Sequence, residues 1–423
     1  MDKIDTPPRE MAPAVAAQAP VAVQPDAAAR ETLPAKAPAP PSTRDLRLDL
    51  FRGLALWLIF LDHIPSNVVS WVTIRNYGFS DATEIFVFIS GYTAAFVYGR
   101  AMRERGTFIA TARVWRRAWQ VYVAHMFLFV IYMAEIAYVS ASFNNPLYTE
   151  EMGILDFLRQ PDVTLVQALL LKFKPANMDV LPLYVVLLFG LPPVLWLLLR
   201  STTAALVGSI VLYVVARVLD WNIASYPNGE WVFNPFAWQL LFVLGAWCAL
   251  GGAGQVKAVL RSPITLGFCV AYLLFAFSVT LTWHIPALVP YMPKVLAEFI
   301  YPINKTDLDV LRLAHFIALA VITVRFVPDD APWLNSPLLR PAIICGQHSL
   351  EIFCLGVFLA FTGHFILVEV SDRISMQVII SVAGIALMVA TASMLGWYKI
   401  IEGRHPGPRP PRKLGSDLAG GEA

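Results

Sequence analysis

The chain has 423 residues, 57% of them hydrophobic and only 15% charged, with a formal net charge of +2. Soluble domains carry roughly 25% charged residues, so this composition is that of a membrane protein, and so small a net charge gives no electrostatic footprint for a nucleic-acid partner. Cys248, Cys269, Cys345 and Cys354 all fall inside apolar runs, with neither metal-ligand spacing nor a disulfide framework, so no metal site is expected.

Residues 1–43 are rich in Ala and Pro and lack apolar periodicity, which reads as a disordered tail. They do not resemble a signal peptide, because no apolar core follows a basic start. Apolar runs of about 20 residues, long enough to span hydrocarbon, follow from there on. Helices are expected at 46–66, 81–100, 117–140, 179–199, 203–219, 234–252, 264–283, 310–327, 342–366 and 376–398. Residues 402–423 form a second polar tail rich in Pro and Gly. The predicted fold is all-α, a polytopic transmembrane bundle of about ten helices, with residues 44–401 as its one membrane domain. No internal repeat is evident, which counts against an inverted-repeat transporter.

Lys and Arg set the orientation. With the N-terminus cytoplasmic, the inner loops collect about twice as many of them as the outer loops, including the cluster from Arg100 to Arg117. Both termini are therefore expected inside. The long loops 141–178, 220–233 and 284–309 then face outward, and Trp71, Tyr77, Trp221, Tyr226, Trp231, Trp283 and Tyr291 fall at the outer ends, most of them as an aromatic belt.

Ionisable residues inside such helices are costly and mark functional candidates. The first helix carries Asp49, Arg52, Asp62 and His63. His63 follows Arg52 by eleven residues, close to three turns, so the two share a face with Asp49 near it. His63 lies about 22 Å of helical rise beyond Leu48, near the outer end. It is either a general base or a histidine hydrogen-bonded at the interface. Asp62 points about a quarter-turn away and cannot face His63 from the same helix, so an orienting carboxylate would come from Asp81 or Glu84. Those two equally fit a helix cap and a first-turn acid. Arg52 is either a structural partner of Asp49 or a ligand for a donor's carboxylate or phosphates. Arg113, Arg116 and Arg117 satisfy inner-loop topology in any case. Asn304, Asp309, Arg312 and His315 open the eighth helix, and the last three reach into its apolar run at helical spacing. His348, Ser349 and Glu351 raise the same question in the ninth, although neighbours on a helix diverge too far for a Ser–His pair.

The stretch RLDLFRG…DHIPSN, from Arg47 to Asn67, and the later FVFISGY resemble the membrane acyltransferase-3 superfamily. Together with NKTDLDVLRLAHF (Asn304–Phe316) and GQHSLEIFCLGVFL (Gly346–Leu359), they are similar to OpgC-type proteins, which succinylate periplasmic glucans of Gram-negative bacteria. The resemblance implies an O-acyltransferase of the bacterial inner membrane. Its donor would be cytoplasmic succinyl-CoA, its acceptor a periplasmic glucan hydroxyl. It implies catalysis for His63, with Asp62 and Glu84 as catalytic candidates. It also implies a coenzyme A dock at Arg113, Arg116 and Arg117, while Asp49, Arg52, Asn304, Asp309, Arg312, His315 and His348 are substrate-binding candidates by their position among the apolar helices. The rival reading is an exporter of sugars or organic anions, with the buried charges lining its path.

Overall fold

The computed structural model describes residues 45–143 and 145–403. The expected tails, residues 1–43 and all but the first two of 402–423, lie outside the described residues.

Every long element is a helix, and six of them begin at a side-chain cap that the sequence supplies. α1 (Leu46–Asp62) starts at Asp45, whose side chain accepts from the Arg47 amide. It stops four residues short of the expected end because Pro65 cannot continue it and pushes Ile64 out of the helical region. α2 (Ala82–Arg105) starts on a capping box made by Asp81 and Glu84. α3 (Thr107–Phe143) begins ten residues earlier than expected. The arginine-rich stretch before Arg117 reads as a loop by polarity, but arginine is a good helix former. A single residue, Gly106 at φ 84°, turns the chain between α2 and α3. Arg113, Arg116 and Arg117 therefore lie within a helix rather than at its start.

α4 (Val180–Arg200), α5 (Thr202–Val218), α6 (Pro235–Ala249) and α7 (Pro263–His284) follow, the last three capped by Ser201, Asn234 and Ser262. α8 (Val310–Phe326) is capped by Asp309. The expected helix 342–366 is two helices, α9 (Arg340–Gln347) and α10 (Ser349–Glu369), broken where His348 leaves helical geometry at φ −114°, ψ 38°. α11 (Ile374–Ile401) is last. The loop before α4 holds three short helices, Leu147–Glu151, Leu155–Arg159 and Pro161–Leu169.

Six helices, α2, α3, α4, α7, α10 and α11, are long and apolar enough to cross a membrane, and α5 and α6 are shorter apolar helices. This is a multi-pass membrane protein. α1 and α8, at 17 residues each, carry the buried charges. No strand occurs among the described residues beyond a single bridge between Ala224 and Glu230.

Two close crossings fix α1 and α2. Gly53 of α1 lies against the Ala342 carbonyl of α9, and Gly346 of α9 against the Asp49 carbonyl. Gly91 of α2 meets the Phe242 carbonyl of α6, and Gly245 meets that of Phe88. A β-carbon at any of these positions would collide with backbone, so small residues let the helices approach as they do in membrane bundles generally.

Candidate active site

His63 caps the C-terminal end of α1, half-buried. Its Nδ1 lies 2.5 Å from the Ile59 carbonyl oxygen, one turn back. A ring nitrogen facing a carbonyl carries the hydrogen, so Nε2 holds the lone pair. A backbone carbonyl, rather than the expected carboxylate, thus orients the ring. On one side His63 meets α10 across a narrow apolar seam lined by Ile352, Phe353, Gly356 and Val357. Its backbone oxygen accepts from Asn177 Nδ2 at 3.4 Å.

Asp62 turns elsewhere. It accepts from Thr73 Oγ1 at 2.8 Å and faces Arg75 Nε at 3.7 Å, so it holds the loop between α1 and α2 in place.

Beside His63 lies a charge cluster drawn from distant parts of the chain. Arg312 Nη2 sits 2.6 Å from Glu84 Oε1 and 3.0 Å from Asp81 Oδ2. Arg312 Nε also donates to Glu84 at 2.8 Å, and Lys305 Nζ donates to Asp81 at 2.6 Å. Glu84 is fully buried, and its second oxygen accepts the Asp81 amide at 2.9 Å. These carboxylates therefore cap α2 and also hold Arg312 of α8 and Lys305 of the segment before it. Asp81 stands just outside α2. Burial alone would raise its pKa, but Lys305 and Arg312 outweigh burial and hold it well below the usual carboxylate range. Lys305 and Asp81 are also within electrostatic reach of His63.

His315 extends this cluster. Its Nδ1 lies 2.7 Å from Ser80 Oγ and 3.3 Å from the Ser80 amide, immediately before Asp81. Asn304 and Asp309 have local duties. Asn304 Nδ2 donates to Asp307 at 2.7 Å within a turn. Asp309 caps α8 through the Leu311 amide and pairs with Arg217 at 3.3 Å.

A second locus lies deeper along α1. A cavity of about 160 Å³ is lined by Arg52, Ser90, Thr93, Tyr98, Arg117 and Tyr184, among others. Arg52 Nη2 donates to Thr93 Oγ1 at 2.6 Å and to the Ile89 carbonyl at 3.2 Å. Of the three α3 arginines only Arg117 lines this cavity, whereas Arg113 and Arg116 are exposed. Ser349 lines it too, at the start of α10. His348, at the α9–α10 break, takes a bond from Lys399 Nζ at 3.2 Å. Asp49 is buried near the α1–α9 crossing and accepts weakly from Gln347 at 3.5 Å.

The structure thus separates the candidates into one group around His63 at the C-terminal end of α1, with Glu84, Arg312 and His315, and a second group further back along α1, with Arg52 and Arg117. Lys305 and Asp81 join the first group through pairings more than 200 positions apart in sequence, which no local pattern reveals. Among the described residues no cluster of His, Cys, Asp or Glu could hold a metal ion.

No curated protein and no solved structure matches this chain. A family model described as OpgC protein does match, over residues 44–400, which takes in both groups of candidates. The chain therefore belongs to the OpgC family.

Proposed function

We propose that this protein is a membrane O-acyltransferase that moves a succinyl group from acyl-CoA on the cytoplasmic side to a hydroxyl of a periplasmic glucan. The observation that carries the reading is the fixed tautomer of His63, which leaves Nε2 as a basic nitrogen beside a charged outer cluster. Burial lowers the pKa of the ring from its ordinary 6.5, so it is neutral and able to accept a proton at neutral pH.

In this reading Nε2 takes the proton of the acceptor hydroxyl as that oxygen attacks the thioester carbonyl. The carbon–sulfur bond breaks, the ester forms, and the imidazolium returns its proton to the departing thiolate. Arg117 and Arg52, on the deeper cavity, suit the phosphates of the donor through their planar forks. Arg52 and His63 lie eleven residues apart on one stripe of α1, about 16 Å of rise, so a donor anchored at the arginines would extend its thioester arm along α1. Lys305 and Asp81 would then contact the acceptor side.

The test is direct. Purified protein is mixed with succinyl-CoA and an unsubstituted glucan, and released thiol and glucan ester are measured together. Formation of both in equal amounts supports the proposal. Glucan movement across vesicles with no ester formed would favour the exporter instead.

A further inference from the structure

Three polar groups that acyl transfer at His63 does not use gather where loop 170–179 meets α3 and the 221–234 loop. The first is Lys174. Its Nζ sits 4.3 Å above the Trp231 ring and reaches one carbonyl, that of Leu171, at 3.3 Å. No carboxylate forms an ion pair with it among the described residues. Burial draws its pKa down to about 8, against the pull of Asp179. The second is His125, which is fully buried, with neither ring nitrogen hydrogen-bonded among the described residues. The third is Trp231, 3% exposed, whose indole N–H is equally without an acceptor there.

Packing directs His125 at the loop. One turn before it, Tyr122 donates to the Leu169 carbonyl at 2.9 Å, and one turn after it, the Phe129 ring meets Phe173 at 6.2 Å. Lys174 comes next in the chain and lies within electrostatic reach of His125. The loop itself is held firmly. Leu171 and Asn177 adopt left-handed backbone at φ 59° and 69°, and the Lys172 carbonyl accepts from Ser225 Oγ and the Tyr226 amide. Non-glycine residues persist in such conformations only where their surroundings impose them.

Buried donors without acceptors are rare and call for an explanation. Here an ammonium, an indole N–H and an imidazole that can present a hydrogen surround one loop, and what they lack in common is an anionic acceptor. A carboxylate, with two oxygens and about four acceptor sites, matches that donor set. The location ties the set to the reacting centre. Asn177, three residues past Lys174, bonds the backbone of His63. Leu181, two residues past Asp179, lines the cavity that holds Arg117.

We propose that Lys174, with His125 and Trp231, binds the free carboxylate at the far end of the acyl group and so selects a dicarboxylic acyl chain over a neutral one. This rests on the acyl-transfer reading above and adds to it the specificity determinant.

The experiment compares succinyl-CoA with butyryl-CoA, which has the same chain length without the carboxylate, on the purified full-length protein with glucan. Wild type should favour succinyl, and Lys174→Gln should lower the succinyl-to-butyryl ratio of kcat/KM by roughly 10- to 100-fold. Lys174→Arg should restore part of it. Trp231→Phe, which keeps the ring and removes the N–H, should lower the ratio in the same direction and guards against a misfolded Lys174 variant. Free succinate should raise the thermal midpoint of wild type and not of Lys174→Gln, with free butyrate as control. An unchanged ratio in Lys174→Gln, or equal losses for both donors with no succinate effect on wild type, overturns the proposal. Wild type that transfers neither acyl group overturns the parent reading instead, and the succinate shift then still decides whether the anion site exists.

Discussion

His63 is held by Ile59: its Nδ1 lies 2.5 Å from the Ile59 carbonyl oxygen on the preceding turn of the same helix. The ring is thereby oriented with no acidic hydrogen-bond partner among the described residues, and its proton-accepting nitrogen is the one not held by the helix. Replacing His63 with Ala is expected to lower acyl transfer by about 10²–10⁴-fold. The thermal midpoint of the solubilised protein should be preserved. Turnover within a few-fold of wild type would remove His63 from the reaction.

The pH profile carries the same assignment. Only the neutral ring accepts a proton, and burial keeps its pKa below 6.5. The neutral form therefore persists to lower pH than in a free histidine. The profile of kcat/KM should be level through neutral pH and fall only below 6.5. An acid limb centred above that value would belong to another group.

Arg117 lines the deeper cavity while Arg113 and Arg116 are exposed, so the three should separate in kinetics. Arg117→Ala is expected to raise KM for the acyl-CoA with little change in kcat, because a phosphate contact is made equally in ground and transition states. The double variant Arg113→Ala/Arg116→Ala should leave KM near wild type. Equal effects from both would mean that the whole arginine face takes part.

Arg312 and Glu84 form a buried pair at 2.6 Å. Removing one member strands a buried charge, which typically costs about 3–5 kcal/mol. Arg312→Leu should therefore destabilise strongly, and Arg312→Leu combined with Glu84→Leu should recover much of the loss. Thermal unfolding in detergent distinguishes the outcomes. Additive losses would show that the two side chains do not depend on one another.

Topology is open to labelling. With both termini cytoplasmic, a cysteine introduced at Asn145 should react with an impermeant thiol reagent added to spheroplasts, and one at Gly106 should not. The opposite pattern would put His63 near the cytoplasmic face and sever it from any periplasmic acceptor.

What the sequence makes legible here is local. Apolar runs give the helices, the Asp81–Glu84 spacing gives the start of α2, and the eleven-residue interval puts Arg52 and His63 on one stripe, whereas the stop that Pro65 imposes on α1 is missed. What it hides is of two kinds. One is helix formed from polar residues, as in the first ten residues of α3, where polarity reads as loop but nothing breaks the helix after Gly106. The other is pairing across the chain. Lys305 with Asp81, and Lys174 over Trp231, depend on which loops the bundle brings together, and no periodicity encodes that. The break at His348 belongs to the same class, since it accompanies the close approach of Gly346 to α1.

The Glu84–Arg312 pair also sets an order of assembly. Arg312 follows Glu84 by 228 residues. At about 5–20 residues per second of synthesis, α2 waits roughly 10–50 seconds for the cation that neutralises its first turn. During that interval its two carboxylates stay hydrated, protonated or shielded by the insertion machinery. The N-terminal end of α2 is thus an unfinished part of the bundle until the C-terminal third of the chain arrives. A nascent chain cut short before Lys305 leaves those carboxylates with neither cation.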